Sequence, residues 1–568
     1  MKITVQFNNK RLDVRLNKST IIDELYTMCT EEVAPQYKIL KLDIHPKQDV
    51  VLQSIEIEIP FVFNKNQDRI FCNGYQSWSE SRLFGFDEIP NNLRSFAKPL
   101  MGNYGDYHIN YIPRKKGVLH SWSYGYIPNF KDDNIDFIGS LNENTGFTCI
   151  IYDADNQVIR IKKDIENLQL SHSYPALEIL LMNGDTPSVF DTYFELQGIK
   201  KNIQPLATGW TSWYNYSNHI SEEIILKNLN QFKEKKAVVD IFQVDDGWQT
   251  RIGDWLSVKN TFPRGMDFVA QQIHNQGFKA GIWLAPFIVG PKSELFKNKP
   301  NWLLKDKNGK LVKAGFAPHW SGWSQPWFYA LDFYNAEVQE YLTGIFHTIL
   351  DKWGFDFVKL DFLYAACIIS RNNKTRGQVM NDVMVFLRRL VGKKQILACG
   401  VPLASAFGKV DYCRIGADIH MSWEHGLLKF LRNRERVSTI LSLRTTLGRW
   451  ELNGRVFQSD PDVFILRKNN QQLTDNQQDT IFKINILLGN LLFFSDEIGE
   501  YDEATWAKYQ MIFEYKNRVV QAVKNHGDDF YTIHFELENQ SHVAYCNLSN
   551  RQINYRGEDI SPFQTLIL

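Results

Sequence analysis

Cysteine is scarce and scattered in this chain. Seven residues, Cys29, Cys72, Cys149, Cys367, Cys399, Cys413 and Cys546, are spread over 568 positions with no CxxC pair. That pattern excludes a disulfide framework and a zinc ribbon, and it fits a reducing cytoplasm. Neither sign of charge is in excess: Lys plus Arg and Asp plus Glu each number 64. No global field therefore draws the protein to nucleic acid or to an anionic membrane. Long apolar runs are missing too. The longest lies near Ile486–Phe494, far short of the roughly 20 residues a membrane-spanning helix needs. The first residues, Met1 to Phe7, alternate like a strand and lack the apolar centre of a signal peptide. There is no P-loop, no dinucleotide fingerprint, no internal repeat and no low-complexity tract. The stretch His420 to His425 has three residues between His420 and Glu424. That spacing fits neither HExxH nor HxxEH, so polar residues on a loop or helix start are the plain reading.

What the chain does have is tryptophan, unevenly placed. Nine of its fifteen Trp residues fall between Trp210 and Trp327. Aromatic faces pack against the C–H faces of sugars, so the excess suits a carbohydrate pocket, although large aromatics also fill cores.

The length predicts several domains with ample core. Residues 1–200 read as β, with alternating runs such as Ser54–Ile59 and Gln157–Lys162 between Asn, Asp and Gly clusters. A two-sheet sandwich follows. Over 201–514 the pattern changes to strand–helix alternation. Strands are expected at 207–213, 238–244, 279–285, 355–361, 395–400, 411–416, 456–460 and 490–496. Helical patterns lie between them at Ser221–Lys236, Asn335–Trp353 and Gly377–Val391. Eight strands with helical crossovers predict a (β/α)8 barrel, whose chemistry sits at the C-terminal strand ends. The long stretch 286–334, rich in Trp, Pro and Gly, reads as a structureless substrate loop. Residues 515–568 return to alternation and predict a small antiparallel β domain.

Three acidic segments stand at expected strand ends. In Phe355–Phe362 an apolar strand carries Lys359 and Asp361 on the face it shares with Phe357. Buried charges need partners, and the lysine favours an ionised aspartate, as a carboxylate nucleophile requires. A structural ion pair is the plainer alternative. Asp411–Asp418 delivers Arg414 and Asp418 to a second strand end, 57 residues from Asp361. Two carboxylates so placed are the raw material of a glycosidase. Val238–Trp248 ends in Asp245-Asp246-Gly247, either a plain turn or a site for sugar hydroxyls.

These motifs carry a family resemblance. Gly209–Tyr214, Asp245–Trp248, Gly281–Phe287, Lys359-Leu360-Asp361, Ala398–Leu403 and Arg414–Asp418 occur in the order found in glycoside hydrolase family 36 of clan D. The chain resembles the bacterial α-galactosidases of that family over roughly 200–500. The N-terminal region joins the resemblance mainly through Asn73–Ser79, and the last segment only in length and character.

The resemblance implies a retaining exo-α-galactosidase acting on terminal α-D-galactosyl residues, with no cofactor, no metal and a small-molecule partner. Asp361 would be the nucleophile and Asp418 the acid/base, its carboxyl protonated at working pH and titrating above Asp361. Lys359 would hold Asp361 ionised. Asp245 and Asp246 look like the pair that accepts from the 4- and 6-hydroxyls. Arg414, Cys399 and Gly400 are placed by resemblance near the 2-hydroxyl, although a Cys there equally suits plain small-residue packing. Trp213, Trp283 and, from the N-terminal region, Trp78 would face the sugar. An α-N-acetylgalactosaminidase, an α-galactosyl transglycosylase of the raffinose-synthase type and a non-catalytic sugar binder are the other readings. Two opposed carboxylates argue against the last. Aglycone, linkage preference and oligomeric state stay open.

Overall fold

The computed structural model describes residues 1–22, 24–129, 132–202 and 204–568. Before the barrel, two antiparallel sheets face each other, one of seven strands and one of eight. Val50–Pro60 shows why they stack: Ile55 and Ile57 point into a buried core while Glu56 and Glu58 stay at the surface. An apolar core of alternating Ile, Val and Leu fills the space between the sheets.

The central sheet holds eight parallel strands: Ala207–Thr211, Ile241–Val244, Lys279–Leu284, Phe357–Leu360, Gln395–Ala398, Tyr412–Arg414, Gln458–Asp460 and Leu491–Phe494. The first seven pair in sequence and the eighth returns to the first. The seventh meets the eighth through the Asn490 N–H, which donates to the Ser459 carbonyl at 3.0 Å. Nearly every residue in these strands is buried on both faces, as parallel strands between a packed interior and outer helices must be. All eight expected strands are present, each shorter by one to three residues in all, at one or both ends, where the chain turns into a loop. Glu222–Lys235 starts at Ser221, whose hydroxyl accepts from the Ile224 N–H, and Arg376–Val391 starts in a Thr375–Gln378 capping box. Ala336–His347 runs on as a widened π turn over Thr348–Lys352.

The stretch 286–334 is not structureless. Ile288–Val289, Lys313–Phe316 and Trp327–Ala330 pair into a three-stranded sheet over the barrel mouth. Its buried Ile288, Phe328 and Ala330 join the apolar core of the barrel. After the barrel, Val519–Asn525, Phe530–Leu537, Gln540–Asn547 and Thr565–Ile567 form an antiparallel sheet. Among the described residues no helix is long and apolar enough to cross a membrane, and all seven cysteines are free and buried.

One buried side chain ties the first sheets to the barrel mouth. Arg449, fully enclosed, donates to the Ser77 carbonyl at 2.7 Å, the Ile415 carbonyl at 2.8 Å and Asn73 Oδ1 at 3.0 Å. The Ser77 N–H adds a bond to the Val401 carbonyl at 2.9 Å. The loop bearing Trp78 is thereby fixed on the C-terminal ends of the barrel strands.

Candidate active site

The C-terminal strand ends open into a cavity of about 700 Å3. Asp245, Asp246, Lys359, Asp361 and Asp418 line it, with Trp78, Trp213, Trp283 and Trp320 among its aromatic walls.

Asp361 sits one residue past the fourth strand and is 9% exposed. Its Oδ2 accepts from Trp283 Nε1 at 3.0 Å and its Oδ1 from the Phe362 N–H at 2.9 Å. Phe362 adopts φ +52°, left-handed backbone that a bulky residue takes only under constraint. The turn returns its N–H to the carboxylate. Both oxygens are thus aimed by donors from the protein. Burial pushes the Asp361 carboxyl above the usual aspartate range; Lys359 opposes that and the charge of Asp418 reinforces it.

Lys359 takes a different partner from the one expected. Its Nζ donates to Asp245 Oδ2 at 2.9 Å, across the mouth from the fourth strand to the second. Burial, the largest single influence, would drain its charge, but Asp245 together with Asp361 overcomes it and holds the ammonium above the usual lysine range. Lys359 reaches Asp361 only through space, and there burial wins: Asp361 is raised rather than lowered.

Asp245 Oδ2 also accepts from Gln243 Nε2 at 2.6 Å, and Asp245 Oδ1 from the Asp246 N–H at 2.8 Å. Asp246 accepts from Gln249 Nε2 at 2.6 Å and from Trp320 Nε1 at 2.8 Å. Burial lifts Asp246 above the ordinary range; the bonds from Gln249 and Trp320 oppose this and the neighbouring Asp245 adds to it. The turn that presents the pair needs Gly247, at φ +122°, where a Cβ would stand 2.7 Å from the Asn218 Cα.

Asp418 follows the sixth strand and its side chain is 37% exposed, open to the cavity. Arg414 Nη1 donates to its Oδ1 at 2.6 Å. The same guanidinium meets Asp460 and Asp462 at the end of the seventh strand. Arg414 is 2% exposed, donates to Asp418 and Asp460 and pairs with Asp462, so it stands behind the wall rather than in it.

Cys399 and Gly400 also lie behind the lining. Trp78 Nε1 donates to Cys399 Sγ at 3.1 Å. Gly400 has φ +60°, and a Cβ there would come within 2.8 Å of the Trp78 ring. The surface presented at this point is the Trp78 indole, with Phe362 edge-on to it at 5.2 Å between centroids. Trp213, also in the lining, is half-buried, and its ring stands 6.5 Å from that of His319.

Several lining residues escaped the sequence reading. Trp320 reaches Asp246 from inside the insert. Tyr214 follows the first strand and donates its hydroxyl to Asp462. Glu435 lines the cavity from a loop held by the first domain, accepting from Ser79 Oγ at 2.6 Å and Tyr107 Oη at 2.5 Å. Asp460-Pro461-Asp462 carried a readable signal, paired acids ending a barrel strand, the same signal that marked Asp245-Asp246.

A parallel eight-stranded barrel whose strand ends present carboxylates to one aromatic-walled cavity has the architecture of the barrel glycosidases. Residues 201–392, the first part of the barrel, match the Melibiase family, in keeping with the resemblance of the motifs to glycoside hydrolase family 36. The α-galactosidase Mel36A of Lactobacillus acidophilus is 28% identical over 170 residues, 28% of this chain and 21% of that protein. The α-xylosidase XylQ of Lactiplantibacillus pentosus is 28% identical over 360 residues, 59% of this chain and 45% of that protein. The chain thus spans less than half the length of these curated relatives. The solved structure of TtGalA, an α-galactosidase from Thermus thermophilus in complex with p-nitrophenyl α-D-galactopyranoside, has the same fold. Its TM-score is 0.71 at 24% identity, covering 92% of this chain and 98% of that one.

Proposed function

We propose that this chain is a retaining exo-α-galactosidase. The observation that carries the reading is Asp361: a buried carboxylate with both oxygens oriented by protein donors, facing a cavity that Asp418 enters from the sixth strand. Asp361 attacks the anomeric carbon as the bond to the leaving oxygen breaks, and Asp418 gives that oxygen its proton. In the second half Asp418 takes a proton from water, the water oxygen bonds to the anomeric carbon, and the ester to Asp361 opens. Asp245 and Asp246 accept from sugar hydroxyls. Their remaining partners, Lys359, Gln249 and Trp320, fix which lone pairs stay available. Galactose differs from glucose in one axial hydroxyl, and a site that bonds it leaves buried polar groups unpaired with the epimer. Trp78, Trp213 and Trp283 wall the ring.

The three regions 1–200, 201–514 and 515–568 serve this reading as a sandwich that supplies Trp78, a catalytic barrel and a closing β domain. The free, buried cysteines fit a reducing cytoplasm. An α-xyloside is the second substrate reading, favoured by the breadth of the XylQ alignment. Initial rates on the nitrophenyl α-galactoside, α-xyloside, α-glucoside and α-N-acetylgalactosaminide decide. The galactoside is expected to be cleaved fastest; a faster xyloside or N-acetylated substrate overturns the substrate while leaving the carboxylates in place.

A further inference from the structure

Asp418 meets a cation that it does not own. Arg414 donates to Asp418 Oδ1 through Nη1 at 2.6 Å and to Asp460 Oδ2 through Nε at 2.9 Å, and its Nη2 stands 2.8 Å from Asp462 Oδ1 as an ion pair without a hydrogen bond. Asp460 and Asp462 have no exposed side-chain surface. The two are further locked together, because the Asp462 N–H donates to Asp460 Oδ1 at 2.9 Å. The other Asp462 oxygen accepts from the Ile419 N–H at 2.7 Å and from the Tyr214 hydroxyl. The other titratable groups that act on the cluster are Asp361, Lys359, Tyr214 and the neutral Cys399 thiol.

Three carboxylates against one guanidinium leave two negative charges if all three ionise. Burying that excess is costly, and a proton held on one carboxyl relieves it. Asp462 is the buried member suited to hold one. Burial pushes it up to about 7, with Arg414 opposing and Asp418 and Asp460 reinforcing. Asp418 is the member that reaches the cavity. An arginine bonded to Asp418 alone would fix it as an anion and spoil it as an acid.

We infer that Asp462 is a positioning residue for the proton-transfer step: it divides Arg414 with Asp418, so that one proton is shared between the two carboxyls and is available at Asp418 when the leaving oxygen needs it. The inference rests on the assignment of Asp418 as acid/base. Over a full turnover the proton given to the leaving group returns from water, so the cluster ends as it began.

The test is the pH profile of kcat/KM on an α-galactoside with a sugar leaving group, beside the nitrophenyl substrate, which needs little protonation. Asp462→Asn removes the competing charge, so Asp418 should lose its proton earlier. The basic limb should move down by about one pH unit, the scale on which a close charge acts. The rate loss should be greater for the sugar leaving group. Asp462→Glu keeps the charge and should restore the limb. Tyr214→Phe removes a donor to the Asp462 anion, draws the shared proton toward Asp462 and should move the limb up while lowering the plateau. Opposite shifts from two neighbouring changes are not what general damage to the site produces. If Asp462→Asn does not fold, the sign of the Tyr214→Phe shift decides alone. Unshifted limbs overturn the inference. Asp418→Ala separates the two levels. If it costs the sugar leaving group far more rate than the nitrophenyl substrate while the other variants stay unshifted, only the role of Asp462 falls. If both substrates lose rate equally, the acid/base assignment falls and this inference with it.

Discussion

Two buried acid clusters flank residues 433–436, and they balance charge in opposite ways. At the seam between sandwich and barrel, Asp106 has no exposed side-chain surface and meets Arg434, Arg114 at 3.5 Å and His120 at 2.9 Å, with the Trp122 indole N–H at 2.8 Å. Burial alone would raise its carboxyl, but Arg434, His120 and Arg114 overcome burial and hold it well below the usual range. At the barrel mouth the balance reverses. Asp361, Asp246 and Asp462 are all pushed up by burial first, with Asp418 adding to Asp361, Asp245 to Asp246, and Asp418 and Asp460 to Asp462. An acid held between two guanidinium groups is a clamp. A cluster with acids to spare sits near the point of taking up a proton, which acid–base and nucleophilic chemistry can use.

The sharpest break of that comparison is Asp361→Asn. Turnover should fall by at least about 10^4-fold, the order seen when a nucleophile is lost. Stability should move the other way. The folded carboxyl is raised above its unfolded value, so ionising it in the fold costs stability. That cost appears as pH rises past about 3.9 and is complete above the folded value. Asp361→Asn escapes it, so thermal melts across pH should show the variant equal to wild type in acid and slightly more stable near neutrality. A variant that melts lower at pH 7 would count against a strained carboxylate.

Asp106→Ala should do the converse. It leaves Arg434 and Arg114 short of a buried partner, a loss of roughly 3–5 kcal/mol in denaturant unfolding. Here the folded carboxyl is depressed, so its contribution is present above about 3.9 and fades as pH falls through the lower folded value. If acid sensitivity is the same with and without Asp106, the seam is not the clamp described.

How much of this was legible in the chain follows from what each feature depends on. The barrel strands were readable because double burial leaves an uninterrupted apolar run, and Asp361, Asp418 and Asp245-Asp246 stood out as acids at the ends of such runs. The partners of those acids were not readable. Lys359 is two residues from Asp361 in sequence, yet it bonds Asp245, because side chains on a barrel strand point inward and meet neighbours from other strands. Arg414 looked like a sugar ligand because nothing local announces that Asp460 and Asp462 arrive beside it from the next strand. The insert looked structureless because its strands are two to four residues long, too short for a period to register.

Trp320→Phe sharpens the comparison at smaller amplitude. It deletes one donor to Asp246 and keeps the ring, leaving the carboxylate with Gln249 as its remaining side-chain donor. The loss of a hydrogen bond to a charged group, about 1.5–3 kcal/mol, should appear as roughly a ten- to hundredfold lower kcat/KM. Because the bond lowers the Asp246 carboxyl, the acid limb should move up if Asp246 must be ionised. An unchanged limb with reduced kcat/KM would make Trp320 a wall and not a charge partner.

The smallest effect is expected at Cys399, and its size relative to Gly400 tests where the cavity wall lies. The Cys399 thiol accepts one indole N–H, is covered by Trp78 and helps lower the Asp361 carboxyl through a weak hydrogen bond, so Cys399→Ala removes two weak contacts and leaves the lining in place. Its kcat/KM should fall by about threefold, on the scale of weak hydrogen bonds. The ratio of α-galactoside to α-N-acetylgalactosaminide cleavage should stay as in the wild type. Gly400→Ala differs on two counts: the backbone holds φ +60°, and the new methyl would stand 2.8 Å from Trp78 Cζ2 and 2.9 Å from Cη2. The indole must move, and with it the surface that meets the sugar. A loss of about tenfold, on the scale of 1–3 kcal/mol for overpacking, should come with a changed substrate ratio. A ratio that shifts in Cys399→Ala and not in Gly400→Ala would put the thiol itself at the sugar and Trp78 behind it, the reverse of the order seen in the fold.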